Sequence, residues 1–126
     1  MARWVLKFAS WKKPNDIFEM VKSGQKTIED RPLNLDKRRN FGQIKPGDIL
    51  VCVSLDTKEK IERIVKWVKI YQSIRKMAEY EPVDQIIPGV KTADELVAIF
   101  EQLKKKWGNS YARKLEKYGI VAIGME

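Results

Sequence analysis

The sequence contains no histidine and only one cysteine, Cys52. Without His, a Cys–His pair or a Ser–His–Asp triad has no base, and zinc loses its commonest ligand. A lone Cys cannot close an internal disulfide. Cys52 lies in the apolar run Ile49-Leu50-Val51-Cys52-Val53, the setting of a buried thiol. No apolar run approaches the ~20 residues of a membrane-spanning helix. The start, Met1-Ala2-Arg3-Trp4, has neither the apolar stretch nor the cleavage site of a secretory signal, so a cytoplasmic location is expected. A P-loop, a dinucleotide fingerprint and a metal-ligand set are all missing. These gaps lead us to expect no metal, no cofactor and no membrane partner. The 126 residues carry no internal repeat, low-complexity tract or interdomain linker, which predicts one domain spanning 1–126.

What is abundant is positive charge. Lys and Arg number 25 against 17 acidic residues, a net charge of +8. The pI is near 9.6. An anionic partner is expected, and nucleic acid is the usual one. The charged fraction of 33% also suits the surface ion pairs of a heat-adapted protein. On that second reading, part of the charge serves stability instead.

Hydrophobic spacing divides the chain into elements. Arg3 to Ala9 reads as a strand whose heavier face is Trp4, Leu6 and Phe8. Pro14-Asn15-Asp16 reads as a helix start, with Asn or Asp as the cap. Ile17, Met20 and Val21 form one stripe that ends at Gly24. Thr27 to Arg31 is a short strand stopped by Pro32. Leu33 to Lys45 is a long irregular loop carrying Lys37-Arg38-Arg39, which suits either a solvated loop or a basic flap over an anion. Ile49 to Leu55 reads as a buried strand. Lys60 to Tyr71 is a long strand by its β-branched content, with an amphipathic helix as the competing reading. A short helix follows over Ser73 to Glu81. Thr92-Ala93-Asp94-Glu95 is a capping box opening a helix with Leu96, Ile99, Phe100, Leu103 and Trp107 on one face. Ser110 to Tyr118 is helical, and Ile120 to Met125 is the last strand.

The stretch Gly24-Gln25-Lys26-Thr27-Ile28-Glu29-Asp30-Arg31 stands out for its chemistry. Gly24 suits the left-handed turn after a helix. Glu29 and Arg31 are two apart, so in a strand they share a face, and Lys26 can swing toward them. A plain solvated ion-pair patch has the same residue types and contributes little.

The spacing Gly-x-Lys-x-x-Glu-x-Arg resembles the signature of the ASCH family (activating-signal-cointegrator homology), within the PUA-like superfamily. Pro46-Gly47-Asp48 ahead of an apolar run, Tyr71-Gln72-Ser73, and Gly119-Ile120-Val121-Ala122-Ile123 are similar to family features in the same order. The resemblance implies an α+β fold: a small PUA-like, mostly antiparallel β-barrel of five or six strands with flanking helices. It implies RNA or nucleotide binding in a cleft lined by Lys26, Glu29 and Arg31, with Tyr71 at its border. An alternative is hydrolysis of an acylated nucleoside such as N4-acetylcytidine. Relatives with that activity use a Lys and a Thr in Gly-x-Lys-x-x-Thr plus a Glu downstream. Lys26 matches that Lys, Glu29 replaces the Thr, and Glu79 or Glu81 is the downstream carboxylate. A protein-interaction module with an empty cleft is the third reading.

Further nucleic-acid contacts are expected from Lys12 and Lys13 and from Lys37, Arg38 and Arg39, all in loops. Trp11, beside Lys12, is the best candidate for stacking on a base. Trp4, Trp67 and Trp107 fall on apolar patterns and are expected in the core.

Overall fold

A computed structural model describes residues 1–126. Five strands and five α-helices follow in the order β1 (Arg3–Phe8), α1 (Asp16–Lys22), β2 (Ile28–Pro32), β3 (Ile49–Ser54), β4 (Lys60–Tyr71), α2 (Ile74–Tyr80), α3 (Val83–Ile86), α4 (Ala93–Trp107), α5 (Asn109–Tyr118) and β5 (Ile120–Met125). One sheet runs β1-β3-β4-β5-β2. Only β1 and β3 are parallel, and the other three pairs are antiparallel. The sheet curls into a half-barrel with helices on its flank, an α+β fold.

The curl originates in β4. Its first part pairs with β3, Ile49 opposite Ile64, and its second part pairs with β5, Tyr71 opposite Ile120. The register shifts between Val65 and Trp67, so the long strand bends there and serves two partners. Gly124 of β5 lies under the Trp67 indole at this bend. A Cβ added to it would meet ring atoms at 2.2 Å.

β5 is buried along its whole length, which gives the sheet two apolar faces. Val121, Ile123 and Met125 join Trp4, Leu6, Phe18 and Leu50 inside the half-barrel. Ile120 and Ala122 join Ile28, Met77, Phe100 and Leu103 under the helices. Truncating one of the large members, such as Phe100, removes about 3–5 kcal/mol.

The helix α1 differs at its start from the expected cap. Asn15 occupies the cap position in the left-handed region and makes no side-chain cap bond. Asp16 instead accepts the backbone N–H groups of Trp11, Lys12 and Lys13 at 2.8, 2.7 and 3.1 Å. It therefore fastens the preceding loop to the helix. Gly24 turns with φ 83° after α1, as its position requires. Asp48 closes the other end of the half-barrel. It accepts Ala2 N at 2.9 Å, Lys45 N at 3.0 Å and the Trp4 indole N–H at 3.0 Å. Between Pro82 and Pro88, where the sequence marks only breaks, lies the one-turn helix α3.

Candidate functional site

β2 is an edge strand lying between the two cores. Glu29 and Arg31 pair opposite Ile123 and Val121 and so point into the half-barrel. Ile28 and Asp30 pair opposite Gly124 and Ala122 and point toward the helices. β1 and β2 are the two free edges of the sheet. Arg31 spans the opening between them. Its Nη2 donates to Lys7 O at 2.9 Å and to Glu29 Oε2 at 3.2 Å. Its guanidinium carbon lies 4.9 Å from the Phe8 ring centre. Glu29 Oε1 accepts the Asp30 N–H at 2.8 Å.

Lys26 is buried at 5% exposure. Its Nζ donates to Ile28 O at 2.8 Å and Ile86 O at 2.5 Å. It also lies 3.7 Å from Glu29 Oε1 and 3.6 Å from Asp30 Oδ2. Two of its donors are taken by backbone carbonyls, and both carboxylates stand within ion-pair range. Lys26 is thus an internal counter-charge that ties β2 to α3.

These side chains floor a cavity of about 290 Å³. Its walls include Phe8 from β1, Trp11 from the first loop, Phe100 and Trp107 from α4, and Tyr111 from α5. Trp107 meets Tyr111 edge-on at 5.2 Å. Burial raises the Asp30 carboxyl to about 6, opposed by Lys26. The Tyr111 hydroxyl is buried and has no hydrogen-bond partner. Burial, then the nearby Asp30 and Glu29 carboxylates, hold it in its neutral form. On the half-barrel side, burial and then Glu29 push the Cys52 thiol up to about 12, so it is inert.

The structure brings Lys26, Glu29, Arg31 and Trp11 to one cavity. Lys12 and Lys13 are exposed beside it, with the Lys12 ammonium 4.3 Å from the Trp11 ring centre. Lys37, Arg38 and Arg39 are exposed on the long loop. Arg39 stacks on Trp4 at 3.9 Å and donates to Arg3 O at 2.8 Å. Phe41 packs edge-on against Trp4 and pins the end of that loop.

Several expected positions fall elsewhere. Tyr71 does not line the cavity. It donates its hydroxyl to Glu81, stacks on Tyr80 at 6.3 Å, and sits on the far part of β4. Glu81 is buried in that same cluster with Lys69 at 3.1 Å. Glu79 is exposed on α2, within 4.0 Å of Lys76. Neither carboxylate lines the cavity beside the motif. Thr27 also faces away and donates to Gln85 Oε1 at 2.9 Å in a separate groove. Trp107 is not a core residue but a rim residue, 36% exposed at the cavity mouth. Asp30 and Tyr111 are the members that spacing alone did not indicate. Strand alternation assigns Asp30 to the face opposite Glu29, and only the cavity's position at a sheet edge reunites them.

No protein-family model matches the chain, and no curated protein matches it. Among the solved structures that do match are two covered over nearly their whole length. Hypothetical protein PH0355 is 30% identical over 98% of this chain and 97% of its own, with a TM-score of 0.71. Protein PF0455 from Pyrococcus furiosus is 30% identical over 98% of this chain and 96% of its own, with a TM-score of 0.62.

Proposed function

We propose, for a chain that belongs to the same family as hypothetical protein PH0355 and the Pyrococcus furiosus protein PF0455, that it binds the base of a nucleotide or of RNA in the cavity beside β2. The observation that carries this reading is the Glu29–Arg31 pair, 3.2 Å apart on the floor of an aromatic-walled cavity. A heterocyclic base is flat and presents donors and acceptors along one edge. Phe8, Trp11 and Trp107 offer π-faces or edges for its ring. Glu29 retains lone pairs for an amino or imino group, as carboxylates do at cytosine. Both protein bonds of Arg31 use Nη2, so its Nη1 and Nε donors remain for a carbonyl or a phosphate. Tyr111 adds its ring to the aromatic wall. The cavity volume lies at the low end of the ~300–1,000 Å³ usual for small ligands, close to the needs of one base with part of its ribose. The ASCH resemblance of the Lys26–Arg31 stretch, with its PUA-like barrel and RNA partner, agrees with the same reading.

A second reading, amide hydrolysis on an acylated nucleoside, is favoured by one feature. The Asp30 carboxyl, raised to about 6 in the cavity wall, has the acidity of a general acid or base. Against it, the Lys26 ammonium donates to two backbone carbonyls and Thr27 faces another groove. The test incubates the protein with N4-acetylcytidine and with the four common nucleosides. Thermal stabilisation by a nucleoside, weakened about tenfold or more in Glu29→Gln and Arg31→Ala, is the expected result. Turnover of N4-acetylcytidine that stops in a folded Asp30→Asn variant would replace binding by catalysis.

A further inference from the structure

A second, smaller cavity of about 170 Å³ adjoins the first, and Arg31 and Pro32 line both. The rest of its lining comes from the long loop and α5: Asn34, Lys37, Arg39, Asn40, Phe41 and Lys114. Four cations thus surround one small space, and no carboxylate lines it. Arg39 stacks on Trp4 and donates to Arg3 O. The side chains of Lys37 and Lys114 make no ion pair or hydrogen bond, although other lysines of this chain find acidic partners. Arg31 has Glu29 as its counter-charge, but Lys37, Arg39 and Lys114 have no acidic partner; like charges gathered in this way repel one another, and an anion relieves that repulsion. Asn34 accepts the Asp36 N–H with Oδ1, so its amide NH2 is a further donor.

We propose that this second cavity takes a phosphate attached to the base-bearing ligand, with Lys37, Arg39 and Lys114 around the anion and Arg31 as the bridge. The proposal rests on the base-binding reading and narrows it. The ligand is a nucleotide, not a free nucleoside. Arg31 belongs to both cavities, so base and phosphate stand on either side of one guanidinium, a separation that a ribose spans. Arg is suited to that position because its planar fork offers donors in two directions. The phosphate is either the monoester of a free nucleotide or the diester of a strand.

The experiment titrates the protein calorimetrically at low salt with the four nucleosides, their 5′- and 3′-monophosphates, and the corresponding dinucleoside phosphates. The monophosphate of the accepted base is expected to bind about tenfold or more tighter than its nucleoside, the yield of one charge-assisted hydrogen bond. Lys37→Ala and Lys114→Ala should remove that preference and leave nucleoside affinity unchanged. Lys91→Ala, an exposed cation that lines neither cavity, should keep it. A dinucleoside phosphate that binds as well as the monophosphate assigns the site to a strand, and one that binds no better than the nucleoside assigns it to a free nucleotide. Equal affinity for nucleoside and monophosphate overturns the phosphate site and leaves the base reading standing. A preference that survives both lysine variants, or is lost equally in Lys91→Ala, also overturns it. Monophosphate binding that responds to Lys114→Ala but not to Glu29→Gln keeps the phosphate site and overturns the base reading. No binding of any nucleoside or nucleotide overturns both.

Discussion

At 5% exposure, the Lys26 ammonium has little water to replace the two carbonyl oxygens and two carboxylates around it. Removing it leaves Glu29 and Asp30 as buried carboxylates whose only cation is Arg31. Lys26→Ala is therefore expected to cost about 3–5 kcal/mol, read as a lower urea midpoint with an unchanged slope. A stability change below about 1 kcal/mol would show that the ammonium is not the internal counter-charge described here. Asp30 gives a pH test of the same cluster. Its carboxyl is raised from 3.8 to about 6 by burial. Between those values the folded protein holds a proton that the unfolded chain has released. Its contribution to stability is complete below about pH 4 and lost as pH rises through about 6. Asp30→Asn keeps the neutral form and should flatten this decline when unfolding is followed from pH 4 to 7. Asp16 and Asp48 act in the opposite direction. Asp16, partly desolvated, is lowered by four backbone N–H groups, and Asp48 is lowered by the Ala2, Lys45 and Trp4 donors. Their stabilisation is present above the ordinary carboxylate range and lost as pH falls below it. At this scale the sequence revealed Lys26, Glu29 and Arg31 through spacing. It hid Asp30 and Tyr111, because parity along a strand says which side a residue takes but not that two sides open onto one cavity.

β4 is the element that sets the shape of the sheet. Its β-branched residues identified it as a strand, and its apolar content on both parities reflects the shift: Ile61 and Val65 before it and Val68 after it pack in the half-barrel, while Trp67 and Tyr71 pack under the helices. What spacing could not reveal is the shift at Lys66, because a bulge changes register without changing composition. The Trp67–Gly124 contact marks that junction. Gly124→Ala should cost about 1–3 kcal/mol by overpacking, since the new methyl group meets the indole at 2.2 Å. Trp67→Val should recover part of that loss in the double variant, a coupling that separate unfolding measurements read directly. Strictly additive losses would place the strain elsewhere. The same limit explains α3, a single turn between two prolines, too short for a hydrophobic period. It also explains the parallel β1–β3 pair, since strand direction within a sheet is a matter of topology rather than local sequence.

The whole molecule carries a net charge of +8, and two explanations of it predict different distributions. A heat-adapted surface pairs its lysines with acids, and a relative from the thermophile Pyrococcus furiosus fits that view. A surface built for phosphate leaves cations unpaired near the site. Both patterns occur here in different places. Lys22 on α1, Lys66 and Lys69 on β4, Arg75 and Lys76 on α2 and Lys104 on α4 each have an acidic partner. Lys12, Lys13, Lys37, Arg38 and Lys114, near the two cavities, have none among the ion pairs of the chain. Lys58, Lys60, Lys91 and Lys105 are also outside every ion pair, so unpaired charge is not confined to this face; beside the open edges β1 and β2 it attracts anions over roughly one Debye length, about 8–10 Å in ordinary buffer. Affinity for a short single-stranded RNA should consequently fall with salt by about 0.7 logarithmic units per neutralised phosphate for each tenfold rise in salt. Lys12→Glu with Lys13→Glu should make that slope shallower by one to two phosphates' worth, roughly 0.7–1.4 units, while reversing Lys22, which is paired with Glu59, should leave it unchanged. These lysines are exposed, so circular dichroism should show an intact fold in each variant. Affinity indifferent to salt would mean that the ligand carries no phosphate and that the unpaired lysines serve solubility. A slope reduced equally by Lys22→Glu would mean that the molecule attracts RNA through its overall charge, without a preferred face.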